Sequence, residues 1–334
     1  MINTIANLKP ILSKLKRIVI VTHKNPDGDA IGSSLGLKHV LATLNAEITV
    51  VTPNDYPKFL KWMPNESEII KFDTQTDLAK EKVKEAELIF CLDFNTLKRI
   101  EDLGLEVEKS QAQKVLIDHH PGPDDFYDYA LHTIKASSTC ELIVTFSKEM
   151  GFDISSNAAS CLYTGFVTDT GSFRFSMNPK VHEYAGLLLE KGAEIDVINN
   201  QIFESNNKNR LSILGKVLST NNIFICDDKA SIMFLTEKDV EELDIQAGDS
   251  EGIVNYPLSV KTCRLSVLVS TRNGEVRMSF RSKYNIPANR FAREYFSGGG
   301  HLNAAGGTYS GSVMETVERV KEVVKENESW LDEI

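Results

Sequence analysis

An aspartate and two histidines, Asp118-His119-His120, close the apolar run Lys114-Val115-Leu116-Ile117. Two further runs end in the same way. Ile18-Val19-Ile20-Val21-Thr22 leads into His23-Lys24-Asn25-Pro26-Asp27-Gly28-Asp29, and Leu88-Ile89-Phe90-Cys91-Leu92 ends in Asp93. Short apolar runs of this kind read as buried strands. The C-terminal ends of parallel strands converge on one crevice. Carboxylates and imidazoles gathered there repel one another unless cations hold them, so these residue types point to a metal site. Asp27 and Asp29 stand two apart and can face neighbouring ions, with Pro26 and Gly28 shaping the turn. Asp93 reads most plainly as a helix N-cap, but its place beside the other strand ends favours a ligand bridging two ions. His119 and His120 are adjacent and do not easily serve one ion together. One is expected to ligate and the other to face substrate phosphate, with Asp118 orienting a histidine from behind. Asp169, in Thr168-Asp169-Thr170-Gly171, follows the helical apolar segment 159–167 and is weak evidence by itself.

The elements that must position these groups alternate. Residues 17–22, 47–52, 87–93 and 114–118 read as strands, 28–44 as a helix, and 138–190 as mostly helical. The fold class is therefore α/β, with a mainly parallel sheet flanked by helices. Ser138-Thr139 ahead of Glu141 reads as a helix start outside capping-box spacing, and Gly192 as a helix stop. The stretch 53–87 carries no motif. Residues 194–220 read as one or two helices around the polar Ser205-Asn206-Asn207-Lys208-Asn209, where the domain connection is placed. The expected division is 1–193, a helical linker 194–220, and a smaller α+β domain 221–334.

In that second part 222–226 and 230–235 read as strands around Asp227-Asp228-Lys229. Residues 261–270 and 275–283 form a second pair around Asn273-Gly274, a strong hairpin signal. A short helix is expected at 288–296 and another from Met314. The run Ser297-Gly298-Gly299-Gly300-His301 offers backbone N–H groups without side-chain shielding, a nest for phosphate oxygens. Period-2 reading puts Val276, Met278 and Phe280 on one face of the hairpin with Cys263, Leu265, Val267 and Val269. Arg264, Arg277, Ser279, Arg281 and Lys283 fall on the other. From Lys261 to Arg293 there are eight Lys/Arg and one acid, Glu275. In a chain of net charge −10, that is a local anion-binding surface.

Taken together, Thr22-His23 with Pro26-Asp27-Gly28-Asp29-Ala30, Asp93, Asp118-His119-His120 and Asp169-Thr170-Gly171 resemble the four motifs of the DHH phosphoesterase superfamily. The second half resembles the DHHA1 domain in Phe280-Arg281-Ser282 and in Gly298-Gly299-Gly300-His301. The combination and length are similar to the bifunctional oligoribonuclease and 3′-phosphoadenosine 5′-phosphate phosphatase type. The resemblance implies two divalent ions, typically manganese, with magnesium as the other option. His23 and Asp27 would hold the first, Asp29, His119 and Asp169 the second, and Asp93 would bridge them. His120 would contact the scissile phosphate or assist the leaving group. Arg281 and His301, with the glycines and Arg264, would grip the far end of the substrate in a cleft between the domains.

The implied enzyme is a metal-dependent phosphodiesterase. It would act as a 3′–5′ exoribonuclease, degrading short single-stranded RNA to 5′-mononucleotides, and convert 3′-phosphoadenosine 5′-phosphate to AMP. A cyclic di-AMP or linear dinucleotide phosphodiesterase shares nearly all these motifs and stays open. An exopolyphosphatase or pyrophosphatase shares only those of the first half. A non-catalytic nucleotide-binding protein is the remaining class.

Composition narrows the partners. The 334 residues exceed what one core usually serves. The net acidity argues against long duplex DNA, which needs a broad basic surface. No apolar stretch is long enough for a bilayer, and no signal peptide is read at the N-terminus, so the cytoplasm is the expected compartment. Five cysteines without CxxC spacing argue against a disulfide framework and a zinc site, and Cys91 reads as a small core residue. The oligomeric state is left open, with a homodimer among the options.

Overall fold

The computed structural model describes residues 3–175, 178–205, 208–246, 248–250, 252–272 and 274–332. Asn206, Asn207 and Asn273, named above, lie outside the described residues. The chain divides into two compact units, Met1–Ser205 and Asn206–Ile334.

The first unit is built on β1 (Asn3–Thr4), β2 (Arg17–Thr22), β3 (Glu47–Thr52), β4 (Ile70–Lys71), β5 (Leu88–Leu92), β6 (Gln113–Asp118) and β7 (Tyr129–His132). Their order across the sheet is β1-β7-β6-β5-β2-β3-β4, and every pairing is parallel. From β2 the chain first works outward through β3 and β4, then returns to the other side of β2 for β5 to β7. The order therefore reverses between β2 and β5, which is where an open α/β sheet forms its crevice.

Alternate side chains of the central strands serve two cores, as the pleat requires. Ile18, Ile20, Phe90, Leu92, Val115 and Ile117 pack with the helices Gly28–Val40, Thr139–Met150, Ser156–Asp169 and Pro179–Glu190. Val19, Val21, Ile89, Cys91 and Leu116 pack with Thr76–Glu85 and Glu101–Lys109. Strands covered on both faces read as continuous apolar runs, which is why they were visible in the sequence. The helix Thr76–Glu85 and the strand β4 lie in the stretch without motifs. β1 is two polar residues and β7 is short and only partly apolar, so neither gave a period to read.

Two helices of the first unit approach unusually closely. A Cβ on Gly32 would lie 2.6 Å from the Cys161 carbonyl oxygen, one on Gly36 2.6 Å from Leu162, and one on Gly28 2.3 Å from Thr168. The spacing Gly28-x3-Gly32-x3-Gly36 lets the helix Gly28–Val40 seat against Ser156–Asp169, the two helices that carry Asp29 and Asp169. Ser138 does stand three residues before Glu141, contrary to the spacing read above. It accepts the Glu141 N–H at 3.1 Å, while the Glu141 carboxylate reaches one residue further back, to Ser137 N at 2.8 Å.

The second unit holds β8 (Asn222–Ile225), β9 (Ala230–Leu235), β10 (Leu265–Arg272), β11 (Glu275–Ser282), β12 (Gly299–His301) and β13 (Ala304–Tyr309). They form a mixed sheet in the order β12-β13-β11-β10-β9-β8, with β9 and β10 parallel and the rest antiparallel. β10 begins at Leu265 rather than at 261, because a turn from Val260 to Cys263 precedes it. The helices Ala288–Tyr295 and Val313–Glu326 cover one face over Val267, Met278 and Phe280. The other face is not a continuous basic surface. Met233, Leu235 and Leu268 on it are buried with Ile213 and Val217 of the helix Lys208–Ser219.

Candidate active site

The strand ends flanking the β2/β5 reversal carry the expected residues, and local structure explains each placement. His23 follows β2, Asp93 follows β5, and His119 and His120 follow β6. Asp27 caps the helix Gly28–Val40, accepting the N–H groups of Asp29 and Ala30 at 3.1 and 3.0 Å. Asp93 has φ +64°, a left-handed state that an aspartate tolerates better than most residues. Its own N–H donates to Ile117 O at 3.1 Å, so the backbone turns while staying tied to β6. Such strain collects at functional sites.

Asp93 stands at the centre. One carboxylate oxygen lies 3.3 Å from His23 Nε2, the other 3.5 Å from His119 Nε2. His23 Nε2 is also 3.8 Å from Asp27, and His119 Nε2 is 3.9 Å from Asp29 and 3.6 Å from Asp169. Among the described residues of this unit, three groups are compact enough to hold a cation, His23/Asp27/Asp93, Asp29/Asp93/His119 and Asp93/Asp118/His120, and all share Asp93. Both histidines present Nε2 because Nδ1–H is committed to a carbonyl, Lys24 O at 2.9 Å for His23 and Ala136 O at 3.4 Å for His119. This outer hydrogen bond is what fixes the tautomer of a metal-binding imidazole.

His120 is built differently. Its Nδ1–H donates to Asp118 Oδ1 at 2.7 Å, and its carbonyl accepts from His132 Nε2 at 2.6 Å. Asp118 is fully buried and orients His120, not His119. Adjacent residues at a strand end point apart, so the two imidazoles acquire separate duties that the sequence could not assign.

The electrostatics explain why cations fit. Burial and the neighbouring charges of Asp93 and Asp169 push Asp29 well above the usual carboxylate range. Burial also works against an ionised Asp93, but hydrogen bonds from His119 and His23 outweigh it and hold that carboxyl well below its usual value. Burial likewise disfavours a charged His23, and the contacts with Asp27 and Asp93 overcome it, raising the imidazole to about 10. Crowded carboxylates thus draw protons onto the histidines that face them. A divalent cation neutralises the same charge, and carboxylate oxygens with imidazole Nε2 are a donor set that binds such ions. The residues present fit the group.

Residues missed in the sequence reading hold this cluster. The helix Thr139–Met150 aims its first N–H groups at Asp29: Thr139 N at 2.6 Å from Oδ2 and Cys140 N at 2.9 Å from Oδ1. Thr139 Oγ1 donates to Asp93 Oδ1 at 3.0 Å. Ser138-Thr139 was legible as a helix start, but not what that start would face. Asn54, in the stretch without motifs, accepts the Asn25 N–H at 2.7 Å and so steadies the loop between His23 and Asp27.

The second unit's candidates divide. His301, Ala304 and Arg281 are register partners across β12, β13 and β11, so they share one row and one face. Arg264 is engaged elsewhere. Its guanidinium donates to Leu331 O at 2.8 Å and to Asp332 at 3.0 Å, tying the start of β10 to the C-terminal turn. Arg277 pairs with Glu275 at 2.9 Å, and Lys283 donates to Val260 O at 3.0 Å. The glycine run is an edge strand rather than a loop. A Cβ on Gly298 would lie 2.1 Å from Gly306 O, and Gly300 has φ +140° with a Cβ 2.5 Å from Ala304 O, so both answer to the close approach of β13. Gly299 has open space beside it.

The pattern of the DHH family, N-terminal domain, matches residues 17–166 and that of the DHHA1 domain residues 229–333. A Thermus thermophilus protein named bifunctional oligoribonuclease and PAP phosphatase NrnA is 31% identical, over 92% of this chain and 89% of its own. The chain belongs to the DHH family. This DHH protein is a phosphoesterase-class hydrolase. A Bacillus subtilis protein of the same name is 28% identical over 88% of the DHH chain and 90% of its own. The crystal structure of an exopolyphosphatase-related protein from Bacteroides fragilis superposes with a TM-score of 0.94 at 39% identity, covering 98% of this chain and 97% of that one. Among the described residues, no helix is long and apolar enough to cross a membrane.

Proposed function

We propose that this protein hydrolyses short oligoribonucleotides to 5′-mononucleotides and 3′-phosphoadenosine 5′-phosphate to AMP, using two divalent cations, manganese above all. The observation that carries the reading is Asp93, one buried carboxylate serving two ligand groups at once. Full-length similarity to proteins named for those two activities supports the substrate class.

The contacts support the following roles. His23 and Asp27 would hold one ion, Asp29, His119 and Asp169 the other, and Asp93 both. Bound ions would supply a hydroxide near neutral pH and offset charge building on the phosphate. Thr139 and the first N–H groups of its helix keep Asp29 and Asp93 from turning away. His120, oriented through its Nδ1–H on Asp118, contacts the scissile phosphate or serves the leaving oxygen. Arg281 and His301 grip a substrate phosphate, a task suited to a guanidinium. Gly299, with no neighbour to crowd it, lets a ligand approach the backbone of β12.

The test is a panel of dinucleotide, pentanucleotide, longer RNA, 3′-phosphoadenosine 5′-phosphate, cyclic di-AMP and pyrophosphate, each with manganese and with chelator. Release of mononucleotide from the short RNAs and of phosphate from the adenosine bisphosphate, both lost with chelator, is expected. Turnover of pyrophosphate or cyclic di-AMP alone would overturn the reading.

A further inference from the structure

One end of the second unit's sheet holds an aromatic ring in an unusual backbone state. After β11 the chain turns through Lys283 and Tyr284. Tyr284 has φ +58° and is 57% exposed. Bulky residues rarely adopt that conformation. Of the two aromatic side chains with positive φ among the described residues, Phe173 packs against Tyr163 and His182. Tyr284 stays in solvent.

The turn is nevertheless clamped. Asn303 Nδ2 donates to the Tyr284 carbonyl at 2.8 Å and to Ser282 Oγ at 2.9 Å, and that hydroxyl donates to Ile286 O at 2.6 Å. Ser282 N–H donates to Asn303 O at 3.0 Å and Lys283 N–H to Arg264 O at 2.9 Å. Three segments thus hold the backbone that carries the exposed ring. With that backbone fixed in advance, only the side-chain torsions remain to be ordered when a ligand covers the ring.

Its neighbours say what that ligand is. Arg281 lies three residues before Tyr284, and His301 two residues before Asn303, at the end of the sheet where β11 and β12 finish and β13 begins. A guanidinium, an imidazole and an exposed ring at one sheet end match the two halves of a nucleotide, phosphate and base. We propose that Tyr284 is a nucleobase platform, on which the base of the gripped nucleotide stacks while Arg281 and His301 take its phosphate. Because every base has a π face, such a platform accepts any sequence. The proposal rests on the nucleotide-substrate reading above.

The experiment is equilibrium binding of AMP and of ribose 5-phosphate to the full chain with manganese, for the parent, Tyr284→Ala, Tyr284→Phe and Tyr284→Gly. Tyr284→Ala should weaken AMP about ten-fold and ribose 5-phosphate by less than about two-fold, while Tyr284→Phe keeps AMP affinity, since the ring does the stacking. Tyr284→Gly accepts the left-handed backbone without strain. It should melt no lower than the parent and still lose AMP about ten-fold, which separates stacking from folding. Unchanged AMP affinity in the Ala and Gly variants, or equal loss for the two ligands, overturns the platform while leaving the metal-site reading intact. If the parent binds neither ligand and hydrolyses no dinucleotide, the substrate reading falls and this proposal with it.

Discussion

In the first unit Asp29, Asp93 and Asp118 are each at most 2% exposed, and their partners come from β2, β5, β6 and two helix starts. In the second unit Arg281 is only half-buried, on the third of six strands, where its guanidinium donates to the Phe280 carbonyl at 2.9 Å. The two clusters pose opposite problems. Buried like charges are costly unless something neutralises them, so the carboxylate cluster depends on its cations and tolerates little change. A half-exposed guanidinium is already solvated, so its loss weakens a grip without unsettling a core. Chemistry in the first unit should therefore fail abruptly and binding in the second should fade by degrees.

The sharpest way to break that contrast is to remove the shared ligand. Asp93→Ala, or chelation of the parent, should lower turnover of short RNA about a thousand-fold, consistent with several kcal/mol of charge stabilisation. Calorimetric titration with manganese should lose one or both binding events in Asp93→Ala. A variant that keeps parental turnover would end the bridging role. Packing is the next largest effect. Gly32→Val should cost about 3 kcal/mol or more by urea unfolding, since the helix Gly28–Val40 cannot move off the Cys161 carbonyl without dragging Asp29 with it.

Arg281→Ala should raise KM for a dinucleotide about fifty-fold while kcat falls less, in line with a lost charge-assisted hydrogen bond. Arg264→Ala should instead lower the melting temperature, because its partners are Leu331 and Asp332. If Arg264→Ala hurts KM more than Arg281→Ala, the assignment between the two arginines is reversed. The smallest effect is expected at Thr139→Val, which keeps shape but loses the hydroxyl on Asp93. A drop of about ten-fold in activity at saturating substrate, with manganese affinity reduced in parallel, fits an outer partner of a metal ligand.

Much of the first unit was legible because its central strands are covered on both faces. The runs ending at Thr22, Leu92 and Asp118 are unbroken, and their polar ends stand out against them. The hairpin of β10 and β11 was legible for a different reason, since only one of its faces is fully apolar and the residues alternate. The helix-contact glycines could have been seen in the spacing 28, 32 and 36, but a glycine in a helix reads first as a weakness. His132 and Asn54 carried no signal: His132 acts through one hydrogen bond across the fold and Asn54 through two, both to Asn25.

The chain order alone determined that a set of Asp and His residues would stand at strand ends, because a buried parallel strand must shed its polar groups where it leaves the core. It could not say which histidine of the adjacent pair meets Asp93 and which leans on Asp118, nor that Arg264 is tied to the C-terminal turn while Arg281 shares a row with His301. Those choices depend on which backbone carbonyl, carboxylate or strand lies opposite once the sheets have formed. That is a property of register and helix placement, and no local run of residues contains it.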